Sequence, residues 1–201
     1  MWQDDLARWE SITTMDGLKT ECIQCQRCSL RHTCEGVVFG EGDPHGNLML
    51  VGEAPGKTED QLGRPFVGAA GQLLDRILQA ADIPRDAVFI TNTVKCRPPG
   101  NRMPSPDETQ ACLSWLVKQV RLIRPRILVC LGAQATQTIL GQSMRVTQVR
   151  GRDFYRNGIH IIPTFHPAAL LRDASKKRPV WNDFQMIRDL YRKTKETEEE
   201  T

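Results

Sequence analysis

The sequence predicts an α/β fold in which helices cover both faces of a parallel sheet. Short continuous apolar runs, typical of buried strands, alternate with apolar residues at helical spacing. Four runs have the length of strands: residues 47–51, 88–90, 127–131 and 159–163. Strands and helices that alternate along a chain form parallel sheets, because each helix returns the chain to the same edge.

The helical patterns precede and separate these strands. Residues 2–12 and 15–23 have apolar side chains at helical spacing, and the second pattern runs into a group of cysteines. Further helices are predicted around residues 73–78, 113–120 and 133–140, with a loop at residues 52–68 and a stiff, proline-rich surface loop at residues 98–106.

Composition indicates one compact domain. The chain has 201 residues, of which 40% are apolar, enough to bury a core without disulfides. Its formal charge of +3 is too small to identify a nucleic-acid binder. No apolar run approaches the roughly 20 residues of a membrane helix, so we expect a cytoplasmic protein with no membrane contact. The glutamate run predicts a disordered tail at residues 195–201 and one domain at residues 1–194.

The chain has seven cysteines. Cytosolic thiols stay reduced and do not form a disulfide framework, so a group of cysteines in such a protein predicts a metal site. Four form a C-x2-C-x2-C-x5-C run and two lie far downstream: Cys22, Cys25, Cys28, Cys34, Cys96 and Cys112. Spacing leaves two arrangements open. Either the N-terminal run holds zinc or a cluster alone, or one of its pairs joins the two downstream cysteines. Cys130, inside an apolar strand, is predicted to be a buried, inert thiol.

Polar motifs follow three of the predicted strands, at the sheet edge where α/β proteins bind ligands. They lie at residues 52–56, 91–96 and 166–167. The first, Gly52-Glu-Ala-Pro-Gly56, has three residues between its glycines, whereas a nucleotide-binding P-loop has four. No later strand ends in an aspartate to hold magnesium. The sequence therefore does not predict a nucleotide phosphatase.

Four segments together resemble the family 4 uracil-DNA glycosylases, which carry an iron-sulfur cluster. In order they are Gly52-Glu-Ala-Pro-Gly-x-x-Glu-Asp60, Gly63-Arg-Pro-Phe-Val-Gly68, Thr91-Asn-x-Val-Lys-Cys-Arg97 and His166-Pro-Ala-Ala-Leu-Leu-Arg172. The resemblance extends from about residue 25 to residue 188. It implies a three-layer α/β/α sandwich around a four-stranded parallel sheet, and an enzyme of base excision repair that hydrolyses the N-glycosidic bond of deoxyuridine.

The resemblance also implies a 4Fe-4S cluster, with ligands that align with Cys25, Cys28, Cys96 and Cys112. The sequence departs from the family at two cysteines. Cys34 stands where relatives commonly have arginine, and Cys22 lies just before the usual pair. Either thiol is an alternative ligand.

An enzyme that acts on uracil in DNA has to flip the nucleotide into a pocket. The family implies that Phe66 stacks on the base. The carboxamide of Asn92, at a strand end, is able to accept from uracil N3–H and donate to O4 at once. Thymine differs only by its C5 methyl group, so we expect the loop that begins at Gly52 and carries Ala54 to exclude it by bulk, with Glu59 as the candidate wall.

Catalysis needs a hydrogen-bond donor and a water molecule. His166 is the family's candidate for donating to uracil O2, where negative charge develops as the bond breaks. Ala54 occupies the position of the water-orienting aspartate in the family 1 loop Gly-Gln-Asp-Pro. We therefore expect Glu53, Asn101 or a backbone carbonyl to orient the water. A Schiff-base lyase would instead need a lysine in the pocket, either Lys57 or Lys95.

Contacts with DNA are predicted after the last strand and on the proline-rich loop. Leu170 or Leu171 is interpreted as a wedge that fills the gap left by the flipped base. Candidate phosphate contacts are Arg97, Arg102, Arg172, Lys176, Lys177 and Arg178. We expect a monomer that acts on uracil in single- or double-stranded DNA and releases free uracil.

Two other functions remain open. Cross-linking relatives bind uracil-DNA with little turnover. They have Gly-Glu-Gln-Pro-Gly in the motif that corresponds to residues 52–56, and a basic, histidine-bearing insertion after the motif that corresponds to residues 91–96. Ala54 and the short loop at residues 97–104 argue against this alternative. A non-catalytic zinc or iron-sulfur DNA-binding module would use the N-terminal cysteines alone.

Overall fold

The computed structural model describes residues 11–199, with side chains through residue 196. The strands are β1 (Glu41–Gly42), β2 (Leu48–Gly52), β3 (Val88–Asn92), β4 (Ile127–Leu131), β5 (Phe154–Arg156) and β6 (Ile159–Thr164). The helices are α1 (Met15–Ile23), α2 (Lys57–Leu62), α3 (Ala69–Ala80), α4 (Pro106–Ile123), α5 (Ala133–Leu140), α6 (Val146–Val149), α7 (Pro167–Arg172) and α8 (Lys177–Glu199).

All six strands belong to one sheet, in the order β1-β3-β2-β4-β6-β5. The inner four are parallel and confirm the predicted strands, whereas β1 and β5 are antiparallel edges that the sequence prediction lacks. β1 has only two residues, too short for an apolar pattern. β5 joins β6 through Asn157-Gly158, both at positive φ. Asn-Gly is a strong hairpin signal, so β5 was detectable from sequence.

Two helical layers enclose the sheet, because the side chains of its buried strands alternate between the faces. Met49 and Val51 pack toward α1, α4 and α5. Leu48 and Leu50 pack toward α3, α7 and α8. This arrangement is the predicted three-layer α/β/α sandwich.

The proline-rich loop ends at a capping box. The Ser105 hydroxyl accepts from the Glu108 N–H (3.2 Å), and the Glu108 carboxylate accepts from the Ser105 N–H (2.8 Å). Pro106 occupies the first turn of α4, where no intrahelical donor is needed. Helix α4 therefore begins well before the predicted residue 113 and brings Cys112 to the side of the sheet that α1 covers.

The structure differs from the sequence prediction at two further segments. The loop at residues 52–68 contains α2, and α8 continues to Glu199 where a disordered tail was predicted from residue 195. Lysine and glutamate are good helix formers, and adding residues to an existing helix is easier than starting one. The predicted helix at residues 2–12 lies almost wholly outside the described residues, as do residues 200 and 201. Between residues 11 and 199, no helix is long and apolar enough to cross a membrane.

A buried carboxylate joins α8 to the end of β6. Asp183 accepts from the Thr164 hydroxyl (2.6 Å) and from Arg150 Nε (3.1 Å), and Arg150 Nη2 also contacts it. We expect Asp183→Ala to lower the free energy of unfolding by about 3–5 kcal/mol, because it leaves the partly buried Arg150 guanidinium without its counter-charge and the buried Thr164 hydroxyl without its acceptor. Urea denaturation measures the change.

Asp189→Ala is the matched control, since Asp189 pairs with Arg188 at the surface. Its expected cost is below about 1 kcal/mol. Equal losses in the two variants would contradict the anchoring role of Asp183.

Candidate active site

A cavity of about 360 Å³ opens at the carboxyl edge of the parallel strands. The sequence-predicted residues that line it are Glu53, Ala54, Glu59, Phe66, Asn92, Asn101, Arg102, His166 and Arg172. They come from segments far apart in the chain, which the parallel strands bring to one edge. Gly52, Arg97, Leu170 and Leu171 do not line the cavity.

The aromatic wall of the cavity is Phe66, which is only 5% exposed. Its φ of 53° is unusual for a bulky side chain and has to be imposed by its surroundings. Glu59 contributes, because one of its carboxylate oxygens accepts from the N–H groups of Val67 (3.0 Å) and Gly68 (2.7 Å). The Phe66 ring lies 5.5 Å from the His166 ring, centroid to centroid. The loop therefore holds the two rings side by side.

Two glycines make room for this arrangement. A Cβ atom on Gly52 would lie 2.4 Å from Asn92 Oδ1 and 2.6 Å from the Phe66 ring. A Cβ atom on Gly71 would lie 1.9 Å from the backbone oxygen of Phe66. Gly52 thus acts by close packing behind the cavity wall, and Gly71 lets α3 approach the Phe66 loop.

Asn92 presents an unpaired acceptor. It ends β3, is 2% exposed, and its Oδ1 atom is buried with no hydrogen-bond partner in the described part of the chain. An unpaired buried acceptor costs roughly 1–3 kcal/mol. Asn92 also lines the cavity, so a molecule bound there would lie next to this carboxamide.

His166 has a defined protonation state. It is the N-cap residue of α7, and its Nδ1 accepts from the Ala168 N–H (3.1 Å), so the ring proton of the neutral imidazole resides on Nε2. Burial lowers the pKa of His166 to about 4; the positive charge of Arg172 adds to this effect and Glu59 opposes it. His166 is therefore neutral near pH 7 and retains one donor.

The two side chains that are candidates for orienting water, Asn101 and Glu53, differ in whether they already have a hydrogen-bond partner. The Asn101 side-chain oxygen accepts from Arg97 Nε (2.7 Å) and is thus engaged. The Glu53 carboxylate has no hydrogen bond or ion pair among residues 11–196. Burial raises its pKa, while nearby Arg172 lowers it.

The structure corrects part of the predicted DNA contact. Leu170 is 3% exposed and packs in the core with α3 and α8, so it is not available as a wedge. Leu171 is 51% exposed. Helix α7 has one buried face, and adjacent residues point about 100° apart around a helix. Sequence could not fix which leucine takes the buried position.

The predicted phosphate contacts differ in whether their charges are already paired within the protein. Arg102 forms a two-armed ion pair with Glu108 (2.6 and 2.8 Å), so its charge is compensated within the protein. Arg97 is bonded to Asn101, and Lys176 pairs with Asp173 (2.7 Å). Arg172 is exposed at the cavity and forms no ion pair with any described residue.

Neither lysine suggested for a lyase reaches the cavity. Lys57 is exposed on α2 and Lys95 is buried behind Asn92. No lysine of the described chain lines the cavity, so a Schiff base with a flipped nucleotide has no amine there.

A second, smaller cavity lies among the cysteines. Five of them line it: Cys22, Cys25, Cys28, Cys96 and Cys112. All seven cysteines are free thiols. Cys34 is not in the lining but interacts electrostatically with Cys96. Cys130 is fully buried in β4 and lies away from this cavity, as predicted for an inert thiol.

The positions of the thiols bear on whether these cysteines fit a metal cluster. Segments from the N-terminal run, from the loop after β3 and from α4 meet at one point, which favours the split arrangement over a self-contained N-terminal site. The Trp115 Nε1–H donates to Cys25 Sγ (3.3 Å), and the Lys95 N–H to Cys112 Sγ (3.3 Å). Such donors are typical around cluster thiolates. Among residues 11–196, no three His, Cys, Asp or Glu side chains are arranged to hold a single metal ion.

Comparison with known proteins gives a consistent family. Residues 39–185 match the model of the uracil DNA glycosylase superfamily. The chain is 42% identical to a type-4 uracil-DNA glycosylase of Sulfurisphaera tokodaii, over 89% of this chain and 86% of that protein. It is 42% identical to a type-4 uracil-DNA glycosylase of Thermotoga maritima, over 85% of this chain and 91% of that protein. A type-5 uracil-DNA glycosylase of Thermus thermophilus is 36% identical over 51% of this chain and 53% of its own.

The close contact at Gly71 makes a testable prediction. In Gly71→Ala, the new methyl group meets backbone atoms of Phe66, which have no alternative position while Glu59 holds the loop. We expect the free energy of unfolding to fall by about 1–3 kcal/mol, the usual cost of overpacking. Gly36→Ala is the control, since a methyl group there meets no atom within 4 Å. Equal stability of the two variants, measured by urea denaturation, would contradict the packing of α3 against the Phe66 loop.

Proposed function

The chain belongs to the type-4 enzymes of the uracil-DNA glycosylase superfamily, and we propose that it hydrolyses the N-glycosidic bond of deoxyuridine in DNA, releasing uracil and leaving an abasic site. It thereby acts in base excision repair. The observation that carries this function is the unpaired side-chain oxygen of Asn92, a residue that lines the same cavity as Phe66 and a neutral His166.

The base-recognition step follows from hydrogen-bond chemistry. Uracil presents O4, N3–H and O2 along one edge. The Asn92 oxygen accepts from N3–H and its amide nitrogen donates to O4, while Phe66 stacks on the ring. Cytosine has an acceptor at position 3 and a donor at position 4, so it would face the same carboxamide with both bonds mismatched. Buried polar groups left unpaired in this way give strong discrimination.

Rejection of thymine depends on space near C5. The Glu59 carboxylate fixes the backbone by accepting from the N–H groups of Val67 and Gly68. The loop is tightly packed there, since a Cβ atom on Gly68 would lie 3.1 Å from the same carboxylate. We expect this fixed loop, together with Ala54, to leave no room for the methyl group. Glu59 would then act by holding the wall as well as by forming it.

His166 stabilises the leaving group. As the glycosidic bond lengthens, negative charge collects on uracil O2 and positive charge on the sugar. The Nε2–H of the neutral imidazole donates to O2, and its orientation is fixed in advance by the Ala168 N–H on Nδ1. A preorganised donor of this kind contributes about 10²–10³ in rate.

Glu53 is the candidate for orienting the attacking water. Its carboxylate lies on the cavity wall without a partner in the described structure, whereas the Asn101 oxygen is engaged by Arg97. The same negative charge would favour the positively charged sugar of the transition state. A reaction in which bond breaking precedes attack asks little of a base, so orientation is the main requirement.

The cysteines are proposed to hold a 4Fe-4S cluster through Cys25, Cys28, Cys96 and Cys112. When bound, the cluster supplies structural cross-links between the N-terminal segment, the loop after β3 and α4. Burial raises the pKa of Cys112 to about 11, while the charge and the backbone N–H of Lys95 lower it. We propose that this cysteine segment and the sandwich form one glycosylase domain over residues 1–194.

The role of His166 is tested with oligonucleotides that carry one uracil, followed by alkaline cleavage of abasic sites. His166→Ala is expected to release uracil about 10²–10³ more slowly than the parent protein. His160→Ala is the control, because His160 pairs with Asp153 away from the cavity.

The pH profile provides a second readout for His166. Because its pKa is about 4, the residue stays neutral between pH 5.5 and 8, and we expect no gain in rate across this range as pH falls. A rate that rises as pH falls through about 6.5, and that loses this rise in His166→Ala, would indicate a cationic donor and contradict the mechanism.

The cluster ligands are tested by substitution of single cysteines. Cys112→Ser should lose iron and the broad absorbance near 400 nm, while Cys130→Ser should retain both, since Cys130 lies inside β4. Cys22→Ser and Cys34→Ser decide between the alternative ligands. Full iron content in Cys112→Ser would contradict the split site. Loss of iron in Cys22→Ser, together with retention of iron in Cys28→Ser, would show that the N-terminal ligand pair is Cys22 and Cys25 and not Cys25 and Cys28.

Leu171 is the remaining wedge candidate. In Leu171→Ala, uracil release should fall several-fold on duplex DNA and much less on single-stranded DNA, because only the duplex has a gap in its base stack to fill. Leu62→Ala removes a similarly exposed leucine on α2 and serves as the control. Equal losses on both substrates would remove Leu171 from this role.

A further inference from the structure

Lys95 is buried between the cysteine cavity and the base-recognising asparagine. It is 1% exposed. Its ammonium group donates to Thr91 Oγ1 (2.6 Å), to the backbone oxygen of Asn92 (2.8 Å) and to Gln119 Oε1 (2.7 Å). All three hydrogens of the ammonium therefore have acceptors, and the side chain is held in one position.

All three acceptors are neutral. Lys95 forms no ion pair with any carboxylate of residues 11–196, and the groups that interact with it electrostatically are the thiols of Cys112 and Cys22. Burial opposes the charged form of a lysine, even when its ammonium is fully hydrogen-bonded, unless an opposite charge lies nearby. A site of this kind is expected only where an anion lies close by.

The cysteine site supplies that anion. Lys95 lies directly before Cys96, and its own N–H donates to Cys112 Sγ (3.3 Å). Four thiolates bring more negative charge than a 4Fe-4S core brings positive charge, so the ligated cluster carries a net negative charge. The same lysine thus contacts a cluster ligand through its backbone and Asn92 through its side chain.

We propose that the Lys95 ammonium is the buried counter-charge of the cluster and that it couples the cluster to Asn92 by holding the Asn92 backbone oxygen. This inference rests on the proposed cluster. Lys95 is a positioning residue, since it does not line the substrate cavity. Loss of the cluster would leave the ammonium without its anion and weaken the support of the base-recognising carboxamide.

The test uses the cluster's own spectrum and requires no turnover. Purified protein is titrated anaerobically with dithionite in the presence of redox mediators while an electrode records the potential, and the absorbance near 400 nm gives the fraction of reduced cluster and hence the midpoint potential. Lys95→Gln removes the positive charge but keeps a donor. Gln119→Glu keeps the lysine and places a carboxylate against it, which neutralises the charge locally. Lys57→Gln removes an exposed lysine and is the matched control.

A nearby positive charge favours the reduced, more negative cluster. Both Lys95→Gln and Gln119→Glu should therefore shift the midpoint to more negative values, with the equilibrium constant for reduction falling about 10- to 100-fold, as expected for one unit charge at an intermediate dielectric. Lys57→Gln should match the parent protein. Uracil release should fall in Lys95→Gln, because the glutamine amide is one bond shorter than the lysine ammonium and carries no charge, so it holds the Asn92 backbone oxygen less tightly.

The outcomes separate this inference from the proposed function. If the parent protein contains iron and sulfide but both variants keep its midpoint, Lys95 is only a structural brace and the inference is wrong. If a folded Lys95→Gln assembles no cluster, Gln119→Glu decides: a more negative midpoint potential in that variant supports the inference, and an unchanged one contradicts it. If the parent protein binds no iron, the cluster proposal and this inference both fail, whereas uracil release by that protein would leave the glycosylase assignment intact.

Discussion

The side-chain oxygen of Asn92 lies buried at the end of β3 without a donor in the described structure, and much of the surrounding architecture serves to keep it there. Parallel pairing of β2 with β3 sets Gly52 opposite Asn92. The absence of a side chain on Gly52 lets Phe66 lie against the same carboxamide. An unpaired acceptor is a cost to folding, and the natural compensation is a ligand that brings an N–H group. Uracil has that group between two acceptors of its own.

Backbone contacts fix the position of the two rings that line the cavity. Phe66 adopts a positive φ because Glu59 binds the two N–H groups after it and because α3 packs closely at Gly71. His166 is fixed by the first turn of α7. These constraints act before any substrate arrives, so the stacking surface and the donor are preorganised as electrostatic catalysis requires.

The four inner strands and the cavity residues at their ends were predictable from sequence, because both the apolar pattern and the chemistry of the polar residues pointed to them. Continuous apolar runs gave the four inner strands, and polar residues at their ends gave Asn92 and His166 at one edge. Errors arose where a choice depended on tertiary contacts. Leu170 and Leu171 are chemically equivalent, and only packing against α8 decides which is buried.

Charged residues were hardest to interpret from sequence. Arg102 resembled a phosphate contact, but its partner Glu108 is also the capping residue of α4. Lys95 resembled a pocket nucleophile, but it points into the core toward Gln119. In both cases the partner lies on α4, and the sequence contains no periodic signal for such a pairing. The hairpin turn Asn157-Gly158 was different, because its dipeptide is recognisable without any structure.

Identification of the product tests the central claim most directly. The protein is incubated with oligonucleotides that carry uracil, cytosine or thymine at one position, and the free bases are separated by chromatography while the DNA is run on a denaturing gel. We predict stoichiometric release of free uracil alone, repeated over many turnovers, with DNA that migrates free of protein. Release of cytosine or thymine at a similar rate, no free base at all, or a protein-DNA adduct that survives denaturation would contradict the account.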